Sequence, residues 1–376
     1  MRAMFREDHE ILRAQARRFI ADKIDPFHAE WEVAGRVPRS IWTEAGNHGL
    51  LCCAIPERYG GGGGDFGHSA VIIEELARSN SSGVGFVLHS DIVAAYIEAF
   101  GTEWQKQRWL PQMATGSMIG AIAMTEPGTG SDLKSIKTTA QRRGDDFVIS
   151  GQKTFISNGT NCQLVIVVAR TDADAGARGL SLFCVEEGMP GFRKGKAIDK
   201  IGLRAQDTSE LFFDEVVVPK EHLLGPENQG FACLMAQLPK ERMIIALRAG
   251  ALLEAMLTAT IDYVRHRPAF GQTVFDFQNT KFRLADAKAT IFMLRAFLDD
   301  CLAKLLTGTL PADVAAMAKL MATEIQSRIL DELLQLHGGY GFTRDFGIAR
   351  AWADARVGRI YGGTSEVMRD IISRNL

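Results

Sequence analysis

The stretch LVIVVAR at residues 164–170 lies in the middle of a sequence whose residue composition and patterning change twice along the chain. It is one of six short runs between residues 118 and 219 that are rich in Val, Ile, Phe and Thr; the runs are Gly120–Met124, Ser135–Arg142, Phe147–Lys153, Leu164–Arg170, Leu180–Val185 and Glu210–Val218. Turn residues such as Arg143-Gly144-Asp145 separate them. Short strands at this spacing predict an antiparallel sheet or a barrel-like domain.

Helical patterns flank this region on both sides. An amphipathic pattern over residues 5–25 ends at Asp25-Pro26, and further helical patterns lie around 66–79, 90–99 and 103–114. The segments 240–265, 278–306 and 312–336 are long and rich in Ala, Leu and Met, which is typical of a helical bundle. We therefore predict an α+β protein of three domains: an N-terminal helical domain at 1–117, a middle β domain at 118–226 and a C-terminal helical bundle at 227–376.

Composition excludes several classes of protein. The 376 residues carry 43 Lys and Arg against 45 Asp and Glu, so no global field attracts nucleic acid or an anionic membrane. No apolar run reaches the ~18 residues that span a membrane, and the first ten residues lack the apolar core of a signal peptide. The six cysteines show no CxxC, so reduced thiols are expected. A cytoplasmic protein is predicted, and a mitochondrial matrix homologue without its transit peptide fits the same features.

One motif match fails on its context, and no metal-binding motif is present. Gly62, Gly64 and Gly67 satisfy GxGxxG, but no apolar strand precedes them, so a surface loop is predicted rather than a dinucleotide site. The eight histidines contain no HExxH and no pair with ligand spacing, and no metal site is predicted.

Five collinear motifs carry a resemblance that covers essentially the whole chain. They are MTEPGTGSD at 124–132, GQKTFISNG at 151–159, RPAFG at 267–271, QLHGGYG at 335–341 and YGGTSE at 361–366. Together they resemble the acyl-CoA dehydrogenase family of flavoproteins, whose N-terminal helical domain, middle β domain and C-terminal four-helix bundle agree with the order above. The resemblance implies an FAD-dependent oxidation of an acyl-CoA thioester to the trans-2-enoyl-CoA.

The same resemblance implies which residues bind FAD. These are Met124, Thr125, Gly130, Ser131, Phe155, Ile156, Ser157, Arg267, Phe270, Gln278, Gln335, Leu336, His337, Gly338, Gly339, Thr364, Ser365 and Glu366. In relatives, the segment equivalent to Gln335–Gly339 reaches the dinucleotide from a neighbouring subunit, and the Arg267 and Gln278 positions do so from the other chain. A homotetramer built as a dimer of dimers is therefore expected.

The position of the catalytic base is a departure from many relatives. In the medium- and short-chain types a Glu follows the Tyr of the last motif, but here that residue is Gly362. Long-chain and isovaleryl-CoA dehydrogenases place the base on an earlier helix, and LPKER at 238–242 matches that helix start, with Glu241 as the base. The resemblance also implies that the Gly362 N–H holds the thioester oxygen. The full pattern, including AQDTSELFF at 205–213, looks most like the long-chain branch.

Residues on the substrate side are also implied by the resemblance: Ser131, Ala177, Arg178, Ala232, Pro239, Lys240, Arg242, Gly362 and Gly363. Ala232 stands where the branches with a relocated base tend to carry Tyr, which leaves chain length and branching open. Electron-transfer flavoprotein is the expected electron acceptor. Two alternatives stay open: an oxidase of the same superfamily that passes electrons to O₂, and a non-catalytic acyl-CoA- or FAD-binding protein.

Overall fold

The computed structural model describes residue 2 and residues 4–376, and it contains the three predicted domains in order. The N-terminal domain is helical: α1 Glu7–Lys23, α2 His28–Ala34, α3 Arg39–Asn47, α4 Phe66–Arg78, a π-helical turn Leu88–Val93, α5 Ala94–Phe100 and α6 Glu103–Ala114. Asp65 caps α4 and Thr102 caps α6, each accepting a hydrogen bond from a backbone N–H in the first turn. The Gly60–Gly64 segment follows a 3-10 turn, Glu57–Tyr59, and precedes α4, so it lacks the strand before the glycines that the dinucleotide-binding fingerprint requires.

The middle domain holds the strands β1 Gly120–Ala123, β2 Thr139–Arg143, β3 Asp146–Ser157, β4 Leu164–Arg170, β5 Leu180–Glu186, β6 Phe192–Ala197, β7 Thr208–Val218 and β8 Leu223–Leu224. They form one sheet in the order β6-β7-β3-β2-β4-β5-β8, with β1 paired to β4. The prediction of an antiparallel sheet was wrong in part, because β1 and β2 both pair with β4 in parallel. A parallel pair needs a long crossover, and residues 124–163 between β1 and β4 supply it.

Two strand predictions need correction. The run Ser135–Arg142 becomes a strand only from Thr139, because a 3-10 turn occupies Leu133–Ser135. Strand β6 was missed, since its sequence FRKGKA lacks the apolar alternation of a half-buried strand. It lies at one end of the sheet, where the exposed Arg193 and Lys196 discourage pairing with another chain.

The C-terminal domain contains α7 Gly230–His266, a small hairpin of β9 Pro268–Ala269 and β10 Gln272–Thr273, α8 Gln278–Leu306, α9 Ala312–His337, α10 Gly347–Ala355 and α11 Ser365–Ser373. Helix α7 starts ten residues before the predicted start at 240, and Pro239 lies inside it. Proline has no N–H to donate, so it removes one helical hydrogen bond without ending the helix. Buried Cys233 and Leu234 hold the first turns of α7 in place.

Helix α7 is the central element of the molecule. By length and composition it could cross a membrane, but most of it is buried against α4, α8 and α9. Its core-facing residues belong to the largest apolar cluster, which also contains α4 and α8 side chains. The first turns of this helix therefore lie where the helical domains and the β domain meet, and they carry Glu241.

Candidate active site

The residues of the LPKER segment point in three directions, because successive side chains on a helix are about 100° apart. Lys240 places its ammonium over the ring of Phe66, 5.4 Å from the centroid. Arg242 is buried and donates a hydrogen bond to the Ala312 carbonyl at the start of α9. Glu241 faces α5, where the hydroxyl of Tyr96 donates to its Oε1 at 2.9 Å.

Glu241 is a buried carboxylate with few compensating contacts. It is only 9% exposed, and Tyr96 gives its one side-chain hydrogen bond among the described residues. Burial raises the pKa of the Glu241 carboxyl, while the Tyr96 hydroxyl and the charges of Arg242 and Lys240 oppose that rise. A raised pKa moves a carboxylate toward the proton affinity that a general base needs near neutral pH.

The Gly362-Gly363 turn lies over the same face of α7. Gly362 has a φ of +64°, and a Cβ built on it would lie 2.4 Å from Cδ1 of Ile245. Ile245 follows Glu241 by one helical turn, so the two residues share a face of α7. Position 362 carries the base in many relatives, but here the Ile245 side chain occupies the space that a side chain at 362 would enter. Only glycine fits at this position without a shift of Ile245.

A buried lysine fixes this turn. Lys319 of α9 is 0% exposed, and its ammonium donates to the Gly363 carbonyl at 2.6 Å. Burial, together with the nearby positive charge of Arg242, lowers the pKa of Lys319 to about 8. Sequence reasoning missed this residue, because a single Lys in an amphipathic helix is normally on the solvent face.

A second buried pair braces the MTEPGTGSD turn. Lys153 on β3 is 0% exposed and donates to the Met124 carbonyl and to the Glu126 carboxylate, at 3.0 and 2.8 Å. Burial disfavours the charged form of Glu126, but Lys153 and two backbone N–H groups outweigh it and lower the pKa of that carboxyl. The turn is thereby held rigidly on the sheet.

The turn and β3 present an open surface that fits a flat ligand. A Cβ on Gly128 or Gly130 would meet no atom within 4 Å, and Ser131 is exposed. Phe155 is 63% exposed although it lies inside a strand, and its φ of +58° coincides with a bulge against β7. Left-handed backbone at a bulky residue is costly and concentrates at functional sites.

A separate patch gathers the other predicted dinucleotide residues. Arg267 ends α7 and its guanidinium lies 5.1 Å from the ring centroid of Tyr340, which directly follows Gly338-Gly339. Phe270 at the tip of the hairpin is 97% exposed, and Gln278 and Gln335 are also exposed. The two segments that were expected on different chains around one FAD therefore lie side by side in the same chain.

Four residues predicted to bind the cofactor have side chains that pack or hydrogen-bond within the protein instead. Ile156 belongs to the core of the β domain. His337 is buried and stacks on Tyr263 with 4.3 Å between centroids, and burial lowers its pKa. Thr364 caps α11, while the buried Ser365 donates to Glu324 at 2.6 Å. The exposed Glu366 and half-buried Met124, Thr125, Ser157 and Leu336 keep accessible surface.

Residues expected on the substrate side come from the β domain and from α7, which are in contact. Ala177 and Arg178 lie in a 3-10 turn, Gly176–Gly179, that contacts α7. Arg178 and Ala232 are exposed, and Pro239 is half-buried.

Family models cover nearly all of the chain. The acyl-CoA dehydrogenase N-terminal domain matches residues 6–117, the middle domain residues 121–216 and the C-terminal domain residues 228–376. The chain belongs to the acyl-CoA dehydrogenase family.

Individual relatives agree with this assignment. The long-chain specific acyl-CoA dehydrogenase of Sus scrofa is 48% identical over all of this chain and 88% of its own length. The short-chain specific acyl-CoA dehydrogenase of Clostridium acetobutylicum is 36% identical over 97% of both chains.

Solved structures of the family have the same fold. An acyl-CoA dehydrogenase from Geobacillus kaustophilus superposes with a TM-score of 0.98 at 45% identity, covering 100% of this chain and 99% of its own. A glutaryl-CoA dehydrogenase from Mycobacterium smegmatis in complex with FADH2 gives 0.91 at 27% identity, with 99% and 95% covered. A chain from a structure described as the electron transferring flavoprotein of Acidaminococcus fermentans gives 0.94 at 35% identity, with 100% and 99% covered.

This acyl-CoA dehydrogenase is thus an oxidoreductase acting on acyl-CoA, and members of its family depend on FAD. The residues present fit that cofactor: an open glycine turn, an exposed aromatic on a strained bulge, and an exposed Arg and Gln at two helix ends. Position 362, directly after Tyr361, is a glycine and carries no carboxylate, whereas α7 carries the buried carboxylate of Glu241.

Proposed function

We propose that this enzyme removes hydrogen from the α and β carbons of a fatty acyl-CoA, of medium, long or branched chain, to give the trans-2-enoyl-CoA. The observation that supports this most directly is the buried carboxylate of Glu241, one helical turn before Ile245, whose side chain crowds the Gly362 position. The identity to long-chain relatives favours the long-chain part of this range.

In this proposal Glu241 takes the α-proton of the bound thioester. The Gly362 N–H donates to the thioester oxygen, where negative charge grows as the proton leaves. Lys319 holds that donor in place through the Gly363 carbonyl. The chemistry that bound FAD would supply is the acceptance of the β-hydrogen as hydride. The chain's own residues thus supply the base, the oxyanion contact and the alignment.

For FAD we propose two groups of residues. The β-domain group is the turn at 124–131 with Phe155 and Ser157, while the exposed patch of Arg267, Phe270, Gln278, Gln335, Gly338 and Gly339 contacts the dinucleotide end. We further propose that the patch serves FAD across a subunit interface in a homotetramer. Phe342, a large apolar residue close to this patch in sequence, is 89% exposed, which supports an interface here.

For the electron acceptor we propose an electron-transferring flavoprotein, because one similar chain comes from a structure described as such a protein. An oxidase would differ in one measurable way, because air would rapidly reoxidise its reduced flavin. A non-catalytic binding protein would not be bleached by acyl-CoA at all. The cytoplasmic location stays a prediction from the sequence.

The test is anaerobic, single-turnover reduction of the flavin by acyl-CoAs of graded length, with Glu241→Gln as the variant. Gln keeps the size and the hydrogen bond from Tyr96 but has no affinity for the proton, so the reduction rate should fall by at least ~10²–10⁴-fold. Acyl-CoA binding, followed by the shift of the flavin spectrum, should change little.

A matched control is Glu254→Gln on the same helix, where the carboxylate pairs with Arg78 and Arg295 instead of accepting from Tyr96. It should leave the reduction rate unchanged. A Glu241→Gln enzyme that reduces its flavin at nearly the wild-type rate would place the base elsewhere.

A further inference from the structure

Tyr96 is a buried tyrosine that the sequence motifs do not assign to the site. It lies on α5, directly after the π-helical turn Leu88–Val93, and it is 0% exposed. Its hydroxyl donates to Glu241 Oε1 at 2.9 Å, across 145 residues of sequence. A π-helical turn is rare and frequently lies at a functional site, because it re-aims the side chains that follow it.

The hydrogen bond engages only one oxygen of the carboxylate. Oε2 of Glu241 has no hydrogen-bond partner within residues 2 and 4–376. Several polar side-chain atoms in that part of the chain are both unpartnered and fully buried, but Oε2 is not one of them. Oε2 therefore keeps some access to the surroundings. A carboxylate held by one oxygen presents the other in a fixed direction.

Burial and the neighbouring polar and charged groups have opposite effects on the pKa of Glu241. Burial raises the pKa of Glu241, while the Tyr96 hydroxyl, Arg242 and Lys240 favour the charged carboxylate. Burial, and then the charge of Glu241, raise the pKa of Tyr96, and the Cys233 thiol adds to this. Tyr96 therefore keeps its proton and can act only as a donor to Glu241.

We propose that Tyr96 is a positioning residue for the base: its hydroxyl fixes Glu241 by Oε1 and turns Oε2 toward the substrate. The same donor favours the charged carboxylate over the protonated one. This inference rests on the proposed function, in which Glu241 takes the α-proton. Tyr96 does not itself exchange a proton with the substrate.

The test is Tyr96→Phe, which removes one oxygen atom and keeps the ring. Without the donor, burial of Glu241 is less well opposed and its pKa rises. The acid limb of the rate of flavin reduction should therefore move to higher pH by about one unit, since a hydrogen bond to a charged group is worth at least that much. The acyl-CoA dissociation constant should change less than the rate.

The matched control is Tyr59→Phe. Tyr59 is 1% exposed and also donates to a carboxylate, that of Glu103 at 2.8 Å, but this carboxylate is on α6 rather than on α7. Its loss should leave the pH profile unchanged. A general loss of packing would affect both variants, whereas loss of the base's donor affects only Tyr96→Phe.

A second variant and a second readout keep the proposal testable if Tyr96→Phe folds poorly. Difluorotyrosine at position 96 is a stronger donor and should move the acid limb to lower pH. In the apoprotein, the infrared band of the protonated Glu241 carboxyl, identified by its absence in Glu241→Gln, should titrate at higher pH in Tyr96→Phe.

The outcomes separate the two proposals. If Glu241→Gln keeps its rate, the proposed function fails. If Glu241→Gln is slow but the rate profile and the infrared titration are the same in Tyr96→Phe and wild type, the role of Tyr96 is wrong and the base stands.

Discussion

A single pair of residues, Gly362 and Ile245, bears on the proposed position of the base. A side chain at 362 would begin 2.4 Å from Cδ1 of Ile245 and on a backbone with φ of +64°. Both obstacles are local: the clash is with the end of one flexible side chain, and left-handed backbone costs a non-glycine residue roughly 1–2 kcal/mol. The base could therefore be moved by few substitutions.

We expect that Gly362→Glu partly restores flavin reduction to Glu241→Gln only when Ile245→Val is added. Val lacks the Cδ1 atom that blocks the new Cβ, and Ile→Val in a core costs only about 0.5–1.5 kcal/mol. Recovery should be incomplete, because a displacement of ~1 Å can cost on the order of 10² in rate. Stopped-flow reduction of the double and triple variants measures this.

The control is Glu241→Gln with Ile245→Val and the native Gly362. If the triple variant is no faster than this control, a carboxylate at 362 does not reach the α-carbon.

At the scale of the element, β3 pairs with β7 and also presents one aromatic side chain to solvent at a bulge. The strand must pair with β7, yet its register shifts between Lys153 and Ile156 so that Phe155 faces outward. Lys153 on one side of the bulge is buried against Glu126 and Ile156 on the other lies in the core, so the exposed Phe155 takes the positive φ. The strain is held by the packing around it.

We expect Phe155→Gly to weaken FAD binding while leaving the apoprotein at least as stable as the wild type. Glycine relieves a left-handed backbone that costs roughly 1–3 kcal/mol, and the ring it removes is mostly in solvent. Thermal unfolding of the apoprotein and titration with FAD check the two halves separately.

Glu215→Gly is the matched control, since Glu215 is also exposed, in a strand and at a φ of +49°. It should give a similar change in stability with unchanged FAD affinity. Equal FAD affinity in both variants would remove Phe155 from the cofactor site.

At the scale of the whole molecule, buried polar groups join the domains. Asp354 of α10 accepts hydrogen bonds from the Ser82 hydroxyl and the Leu203 N–H, and so connects all three domains. His89 accepts from the Gly120 N–H at 3.0 Å and donates to the Met113 carbonyl at 2.9 Å, which ties the π-helical turn to β1 and α6.

His89 makes stability depend on pH. Burial lowers its pKa to about 4, against about 6.5 in the unfolded chain. The unfolded state therefore binds a proton before the folded state does, so the contribution is complete above pH 6.5 and is lost as the pH falls toward 4. Between pH 7.5 and 5 the loss should be about 2 kcal/mol.

Urea unfolding of the apoprotein at the two pH values measures this, with His89→Gln as the comparison. The variant should be less stable at pH 7.5 but should lose less on acidification. A variant with the same pH dependence as the wild type would assign the acid sensitivity to other groups.

The exposed apolar surface of the C-terminal domain predicts an assembly of copies of this chain. Phe282, Phe292 and Met293 on α8 are 60%, 77% and 66% exposed. We expect a homotetramer by light scattering, and a smaller species for Phe292→Lys, because a charge at a packed apolar contact costs several kcal/mol. Val33→Lys, on the similarly exposed Val33 of α2, should leave the mass unchanged, and a wild-type monomer that keeps its flavin would contradict the assembly.

The sequence by itself determined the three-domain order and the helix bounds at 103–114 and 278–306, which follow from local periodicity. The choice of Glu241 over position 362 came from the resemblance to the family motifs and stays a prediction. Sequence reasoning missed the parallel pairing of β1 and β4, and it started α7 too late, after Pro239, because sheet partners and tertiary packing are not encoded in a local window.

Only the tertiary structure decided the partners of the site. Tyr96 meets Glu241 across 145 residues, Lys319 meets the Gly363 carbonyl across 44, and Lys153 meets Glu126 across 27. Each is a polar group in an otherwise apolar or amphipathic segment, and sequence alone gives such a residue a solvent role. A buried polar group must be paired, and its partner is set by how distant elements pack together, which no local pattern specifies.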